Sequence, residues 1–175
     1  MTGSPPNPEL TVRAALPDDL DAVVEIALAA WQPIYAEYQR LLGAELYASL
    51  HADWRARKAE QVRSACLAAF TAHSPATAHA LVAVLDGRVV GFATFATDPA
   101  TGVGVLTNNA VAPASQGRGI ASQLYARALA LMRAAGMRHA RVTTGGDAAH
   151  APARRAYEKA GFVAMLSSVD YYRKL

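Results

Sequence analysis

The apolar positions change period along the chain, and each change marks an element. Residues 10–15 alternate as a short strand. Pro17, Asp18, Asp19 and Asp21 then open a helix, with acids at the positive end of its dipole. Leu20, Val23, Val24, Ala27, Leu28 and Trp31 recur at helical spacing and give that helix one apolar face. Pro33 is expected to break or kink it. Residues 34–70 read as mostly helical, with one stripe of Tyr47, Leu50 and Trp54 and another of Val62, Ala65, Cys66, Ala69 and Phe70. Residues 73–77 form a loop around Pro75. From residue 78 the period falls to that of a strand. Residues 78–85, 88–97 and 103–111 are strands, joined by the hairpin signal Asp86-Gly87 and by a turn at Asp98, Pro99 and Gly102. Such a meander is antiparallel. Residues 120–135 return to helical spacing through Ile120, Leu124, Ala128 and Leu131, widened by Tyr125, Leu129 and Met132. Gly136 supplies the stop. Residues 139–144 form a strand, parallel to the one before because a helix crosses between them. Pro152 suits the first turn of a last helix that ends at Gly161. Residues 162–166 and 169–174 read as two closing strands. The whole is an α/β fold with a mixed, mostly antiparallel sheet flanked by helices, preceded by a Pro-rich tail over residues 1–9 and forming a single domain over 10–175.

Between the strand 103–111 and the helix 120–135 lies Val111-Ala112-Pro113-Ala114-Ser115-Gln116-Gly117-Arg118-Gly119-Ile120-Ala121. A strand, a tight turn and a helix N-terminus together make an anion site. The first amides of a helix lack intrahelical partners, the dipole adds positive charge, and glycines let the backbone approach a phosphate. Arg118 adds a cation. There is no Gly-Lys-Ser/Thr, and the glycine spacing is not that of a dinucleotide fold. With Pro113 upstream and Tyr157-Glu158-Lys159-Ala160-Gly161-Phe162 downstream, the stretch resembles motif A and the Tyr-x-x-x-Gly-Phe ending of the GNAT superfamily of N-acetyltransferases. The resemblance is strong over 103–162 and weak before residue 79. It implies a GNAT-like sheet with a splayed parallel pair and acetyl-coenzyme A as cofactor. Gln116, Gly117, Arg118, Gly119, Ile120, Ala121 and Ser122 would hold its pyrophosphate.

Composition narrows the partners. The chain has 175 residues, 53% hydrophobic and 18% charged, enough for a sizeable core and too apolar for disorder. A net charge of +3, with Arg133, Arg138 and Arg141 scattered, does not call for nucleic acid. The single Cys66 excludes an intramolecular disulfide, fits a buried thiol and agrees with a reducing cytoplasm. The first ten residues lack the apolar core of a signal peptide, and no apolar run is long enough to span a membrane. A cytoplasmic location is expected.

Acetyl transfer from a thioester to an amine sets chemical demands. The amine must lose a proton, the tetrahedral oxyanion needs donors, and the thiolate leaves more easily beside a hydrogen-bond donor. The resemblance implies that the backbone over 109–111 pairs with the pantetheine arm, with the Val111 amide as oxyanion donor and Asn109 beside it. It also implies that Tyr157 serves the departing thiolate. His150 stands seven residues before that tyrosine, where many members carry an Asn that contacts the cofactor, and Asp147 is placed to pin it or to cap the helix. Tyr35, Glu37 and Tyr38 lie in the region that covers the acceptor. Strand alternation puts Thr107 and Asn109 on one face, as candidate acceptor contacts, and Asn108 on the other. The family's carboxylate falls near Val105, which cannot act as a base. A water chain, Glu37, Glu45 or His79 is left for that role. The expected acceptor is an amine of a small molecule or a peptide N-terminus. No acidic cluster announces a polycation. Many relatives are homodimers, and the closing strands are where pairing is expected. A different class of function, a non-catalytic acyl-coenzyme A sensor or regulatory module, gains slightly from the missing carboxylate and is opposed by Tyr157 and the intact turn; amine-dependent turnover separates the two.

Overall fold

The computed structural model describes residues 10–71 and 78–173. The tail expected over 1–9, the loop expected over 73–77 and Lys174 lie outside the described residues. The elements are β1 (Leu10–Ala14), α1 (Leu20–His51), α2 (Trp54–Thr71), β2 (Ala78–Leu85), β3 (Arg88–Asp98), β4 (Val103–Val111), α3 (Ile120–Ala134), β5 (His139–Val142) and α4 (Ala151–Lys159). The five strands lie side by side in chain order. β1 to β4 are antiparallel, and β5 runs parallel to β4. Asp86 and Gly87 both take positive φ, 49° and 77°, as the tight hairpin between β2 and β3 requires.

Helices cover both faces of the sheet. On one, Val23 and Ala27 of α1 and Val62 and Cys66 of α2 pack on Val82 and Phe92. On the other, Ile120, Leu124, Ala128 and Met132 of α3 and Tyr157 of α4 pack on Ala93, Phe95 and Leu106. The close approach of α3 depends on Gly104, where a Cβ would lie 2.6 Å from the Met132 sulfur. Burial pushes the Cys66 thiol up to about 11, as suits a core residue rather than a nucleophile. No described helix is long and apolar enough to cross a membrane.

Three expectations change. α1 runs through Pro33 and is interrupted instead at Gly43, with φ 73° and ψ 164°. Pro33 removes one donor on an exposed face, whereas that glycine conformation lies outside the helical region altogether. β5 stops at Val142, two residues early. Residues 162–173 carry no strand. Met165 and Leu166 are adjacent and both exposed, which breaks the alternation a half-buried strand needs.

Asp19 ties β1 to the start of α1. Its carboxylate accepts from the Arg13 guanidinium at 2.6 and 2.8 Å and from the Leu16 amide at 2.7 Å. The Arg13 bonds, chiefly, hold this carboxyl below the usual range against the opposing effect of burial. A carboxyl whose pKa falls on folding stabilises the fold above its unfolded value of about 3.9. That contribution is lost as pH falls through the folded value. Asp19→Asn should therefore cost about 1–2 kcal/mol at neutral pH, a low figure because Arg13 remains partly solvated. The gap between native and variant should shrink below about pH 4. Urea unfolding at both pH values measures it.

Candidate active site

The site begins where the two edges of β4 part company. The inner edge stays on β3. The outer edge pairs with β5 only from Val103 opposite His139 to Leu106 opposite Val142. From Thr107 to Val111 no described strand lies beside it. Ala112 donates its amide to Val90 of β3 at 2.8 Å. Because antiparallel strands alternate, the amide and carbonyl of Val111 turn outward, to the open side. Gln116 Nε2 donates to that carbonyl at 3.3 Å.

A β-bulge opens at the same point. Ala93 faces Asn109 and Phe95 faces Leu106, so Thr94 alone opposes both Thr107 and Asn108. Thr94 Oγ1 accepts the Asn108 amide at 3.0 Å and shares a hydrogen bond of 2.7 Å with the Thr107 hydroxyl. The bulge overturns simple alternation. Thr107 points with Thr94 to the α1 side, while Asn109 points to α3 and α4. Thr107 and Asn109 were expected on one face and stand on opposite faces.

Asn109 joins two helices. Its Oδ1 accepts from Tyr125 of α3 at 2.7 Å and from Tyr157 of α4 at 3.1 Å. With Oδ1 accepting from both phenols, the NH2 group is left for other partners. Burial raises the pKa of both phenols, so both keep their protons at neutral pH. The end of α4 fixes Tyr157. Gly161, at φ 88°, donates to Glu158 at 2.9 Å, and Phe162 donates to the Tyr157 carbonyl at 3.0 Å. This is a Schellman cap, and the Phe162 ring meets the Tyr157 ring edge-on at 6.1 Å. The Tyr-x-x-x-Gly-Phe pattern thus encodes a helix stop that also seats the tyrosine.

The turn after β4 supplies the positive end. Pro113–Ser115 form a single 3-10 turn. Gly117 and Gly119 follow with φ 78° and 76°, and a Cβ on either would meet nothing within 4 Å. Gly119 is the N-cap of α3, and no side chain caps that helix. Among the described residues, no acceptor takes the amides of Gly117, Arg118 or Gly119. Ile120, Ala121 and Ser122 are the first residues of α3, so their amides are free by helix geometry. Arg118 is exposed beside them.

The loop after β5 forms the opposite rim. Asp147 accepts the His150 amide at 3.2 Å, and its second oxygen lies 2.6 Å from His150 Nδ1. Asp147 pins His150 as expected, but what it caps is the 3-10 turn Ala148–His150; α4 itself, with His150 at its N-cap, has no side-chain cap. Burial works against its charge, but the His150 bonds prevail and hold the carboxyl below the usual range. Arg154 ties the loop down through the carbonyls of Gly145 and Asp147, at 2.6 and 2.7 Å. Gly145 is required here, since a Cβ would lie 2.5 Å from both Asp147 Oδ2 and His150 Nδ1.

An aromatic cluster on α1 and α2 stands over this rim. The Tyr38 ring lies 6.2 Å from His150 and 5.5 Å from His51. Tyr35 stacks on Trp54 at 4.2 Å, and Tyr47 reaches His51 at 5.5 Å. Tyr38 therefore borders the site, while Tyr35 is engaged in packing α1 on α2. Glu37 is tied to Arg40 by two hydrogen bonds of 2.8 and 2.7 Å. Glu45 is exposed beyond the break at Gly43. His79 stacks on Phe95 at 4.5 Å, on β2, with β3 between it and β4. The residues not singled out in the sequence are Thr94, Tyr125, Arg154 and His51. The first two had a signal, a polar atom amid apolar core positions, which must find a partner.

The pattern of the Acetyltransferase (GNAT) family matches residues 31–162. No curated protein sequence matches the chain. Among solved structures, the chain is similar to a PaiA N-acetyltransferase from Thermoplasma acidophilum in complex with coenzyme A. The identity is 18%, over 91% of this chain and 93% of that one, with a TM-score of 0.73. It is similar to a GNAT family acetyltransferase from Brucella melitensis in complex with acetyl-CoA, with 24% identity, coverage of 89% and 84%, and a TM-score of 0.58. It is also similar to the aminoglycoside N-acetyltransferase AAC(6')-Iy in complex with CoA, with 19% identity, coverage of 98% of each chain and a TM-score of 0.62. An open β4 edge, an uncapped helix after a two-glycine turn, a tyrosine seated by its own helix stop and a family match over most of the length agree: the chain belongs to the GNAT acetyltransferase family.

Proposed function

We propose that the protein moves an acetyl group from acetyl-coenzyme A to an amine of a small molecule or a peptide N-terminus, by direct attack within a ternary complex. The observation that carries this reading is the meeting of the open β4 edge with the uncapped N-terminus of α3. The free amides from Gly117 to Ser122, with Arg118, would hold the pyrophosphate. The outward backbone of Asn109 and Val111 would pair with the pantetheine arm and bring the thioester carbonyl to the Val111 amide, which stabilises the oxyanion. The Tyr157 hydroxyl would turn from Asn109 to the departing sulfur. Tyr125 keeps Asn109 occupied when it does. Tyr38 would border the acceptor.

The reading as a sensor draws on β4, which offers no carboxylate between Val103 and Val111. Calorimetric titration with acetyl-coenzyme A, followed by thiol detection across a set of amines, separates the two. Binding with amine-dependent thiol release is the expected result. Binding without release from any amine would make the protein a sensor, and absence of binding would remove both readings.

A further inference from the structure

The geometry points to His150 as the general base of the reaction, taking the proton of the acceptor ammonium on Nε2, with Asp147 as the positioning residue that holds the ring by Nδ1. This inference rests on the transfer reading above. It answers a gap in that reading. An alkyl ammonium, with a pKa near ~10, must lose a proton before it attacks. The acetyl-transfer edge of β4 carries Thr107, Asn108 and Asn109 and no base. Glu37 is neutralised by Arg40, and His79 lies two strands away.

His150 is built differently from a loop residue that happens to carry an imidazole. Asp147 Oδ2 accepts a hydrogen bond from Nδ1–H at 2.6 Å, which selects the neutral tautomer with a lone pair on Nε2. The same carboxylate holds the His150 backbone amide, and Arg154 holds the carbonyls on either side of the loop. The pair fills the space beside Gly145, where a Cβ would lie 2.5 Å from each partner. Ring, carboxylate and loop are therefore fixed together. Among the described residues, no protein group hydrogen-bonds Nε2, the nitrogen on the side away from Asp147.

The placement fits the task. His150 is the N-cap of α4, and Tyr157 is seven residues on. Two turns of helix return to nearly the same side, about 10 Å along the axis. One side of α4 thus presents the histidine toward Tyr38, proposed above to border the acceptor, and the tyrosine toward Asn109 of β4. Tyr38 of α1 lies against the His150 ring, and the aromatic cluster of α1 and α2 begins there. The titratable groups around His150 are Asp147 on its own loop, Arg154 on α4, and Tyr38 and Glu37 on α1. Asp170 and Tyr172 of the C-terminal segment act on Tyr38.

The protons balance. One N–H bond of the ammonium breaks as the Nε2–H bond forms. The nitrogen lone pair then makes the N–C bond, and the C–S bond breaks with its electron pair on sulfur. The sulfur takes up a second ammonium proton, and His150 returns the first to solvent. Each acetyl transferred releases one free thiol and one proton.

The test uses two acceptors at saturating acetyl-coenzyme A. 2-Phenylethylamine is charged at neutral pH and needs a base. Hydroxylamine is neutral there and needs much less help. His150→Asn, which keeps a side-chain donor within the loop, should lose at least about tenfold more thiol-release rate with 2-phenylethylamine than with hydroxylamine. Asp147→Asn, which leaves the ring unpinned, should show the same selective loss with 2-phenylethylamine at a smaller size. Equal losses with both acceptors would make His150 a structural residue and overturn the inference while leaving the transfer reading intact. No thiol release above the uncatalysed rate by the native chain, with these acceptors or with any amine of the set that tests the transfer reading, would overturn both.

Discussion

Gly119→Glu should weaken acetyl-coenzyme A binding by about 100-fold or more, which is about 2.7 kcal/mol. Three facts set that size. The glycine sits at φ 76°, where a side chain costs about 1–2 kcal/mol of backbone strain. It is the N-cap of a helix whose first amides have no other partner, so a carboxylate there competes for the donors proposed for the pyrophosphate. It also brings a negative charge to the place where another is meant to bind. A Cβ at this position meets no protein atom, so the variant should fold. Gly119→Ala carries the strain without the charge and should lose about tenfold or less. Calorimetric titration of the pair separates the two causes. Equal losses would mean that strain alone acts, and an unaffected Gly119→Glu would remove the turn as the phosphate site.

Tyr157→Phe should lower kcat by about 100-fold, close to the value of one well-placed donor in a transition state. The change removes a single hydroxyl from a tightly held ring. The Schellman cap and the edge-on contact with Phe162 do not involve that oxygen. Asn109 Oδ1 keeps its bond from Tyr125, so no buried acceptor is stranded. Acetyl-coenzyme A affinity should therefore stay within about threefold, since the proposed cofactor contacts are backbone amides elsewhere. Rate and binding measured on one preparation decide the matter. An unchanged kcat would take Tyr157 out of the chemistry, and a loss confined to binding would make it part of the cofactor site.

Much of the fold was legible because its signals are local. The hairpin at Asp86-Gly87, the stops at Gly136 and Gly161 and the uncapped start at Gly119 each follow from a backbone conformation that few residues adopt. The bounds of β4 were read to the residue, since its period and flanking turns agree. The candidate site was legible as a segment and less so as geometry. Its turn and Tyr157 stood out, but the facing of Thr107 and Asn109 did not. Alternation presumes one residue opposite one, and the bulge depends on Thr94, which lies on another strand. Asp147 and His150 were visible as neighbours, whereas the hold of Arg154 on their loop required the turn of α4 to bring it back. Pro33 misled because helix propensity is judged residue by residue, and the packing of α1 on the sheet is not. The closing strands misled for the converse reason: apolar residue types are present without the alternation that would bury them.

The bulge at Thr107–Asn108 falls where β5 ceases to pair, and a bulge bends and twists the strand that bears it. The cleft is thus a sheet left one strand short. An amide-bearing arm, as proposed for pantetheine, would act there as a surrogate strand and fill hydrogen bonds that the outer edge of β4 leaves open. Binding should then register as slowed hydrogen exchange at the amides of Asn109 and Val111, so that the ligand completes the fold in the same act by which the fold holds the ligand.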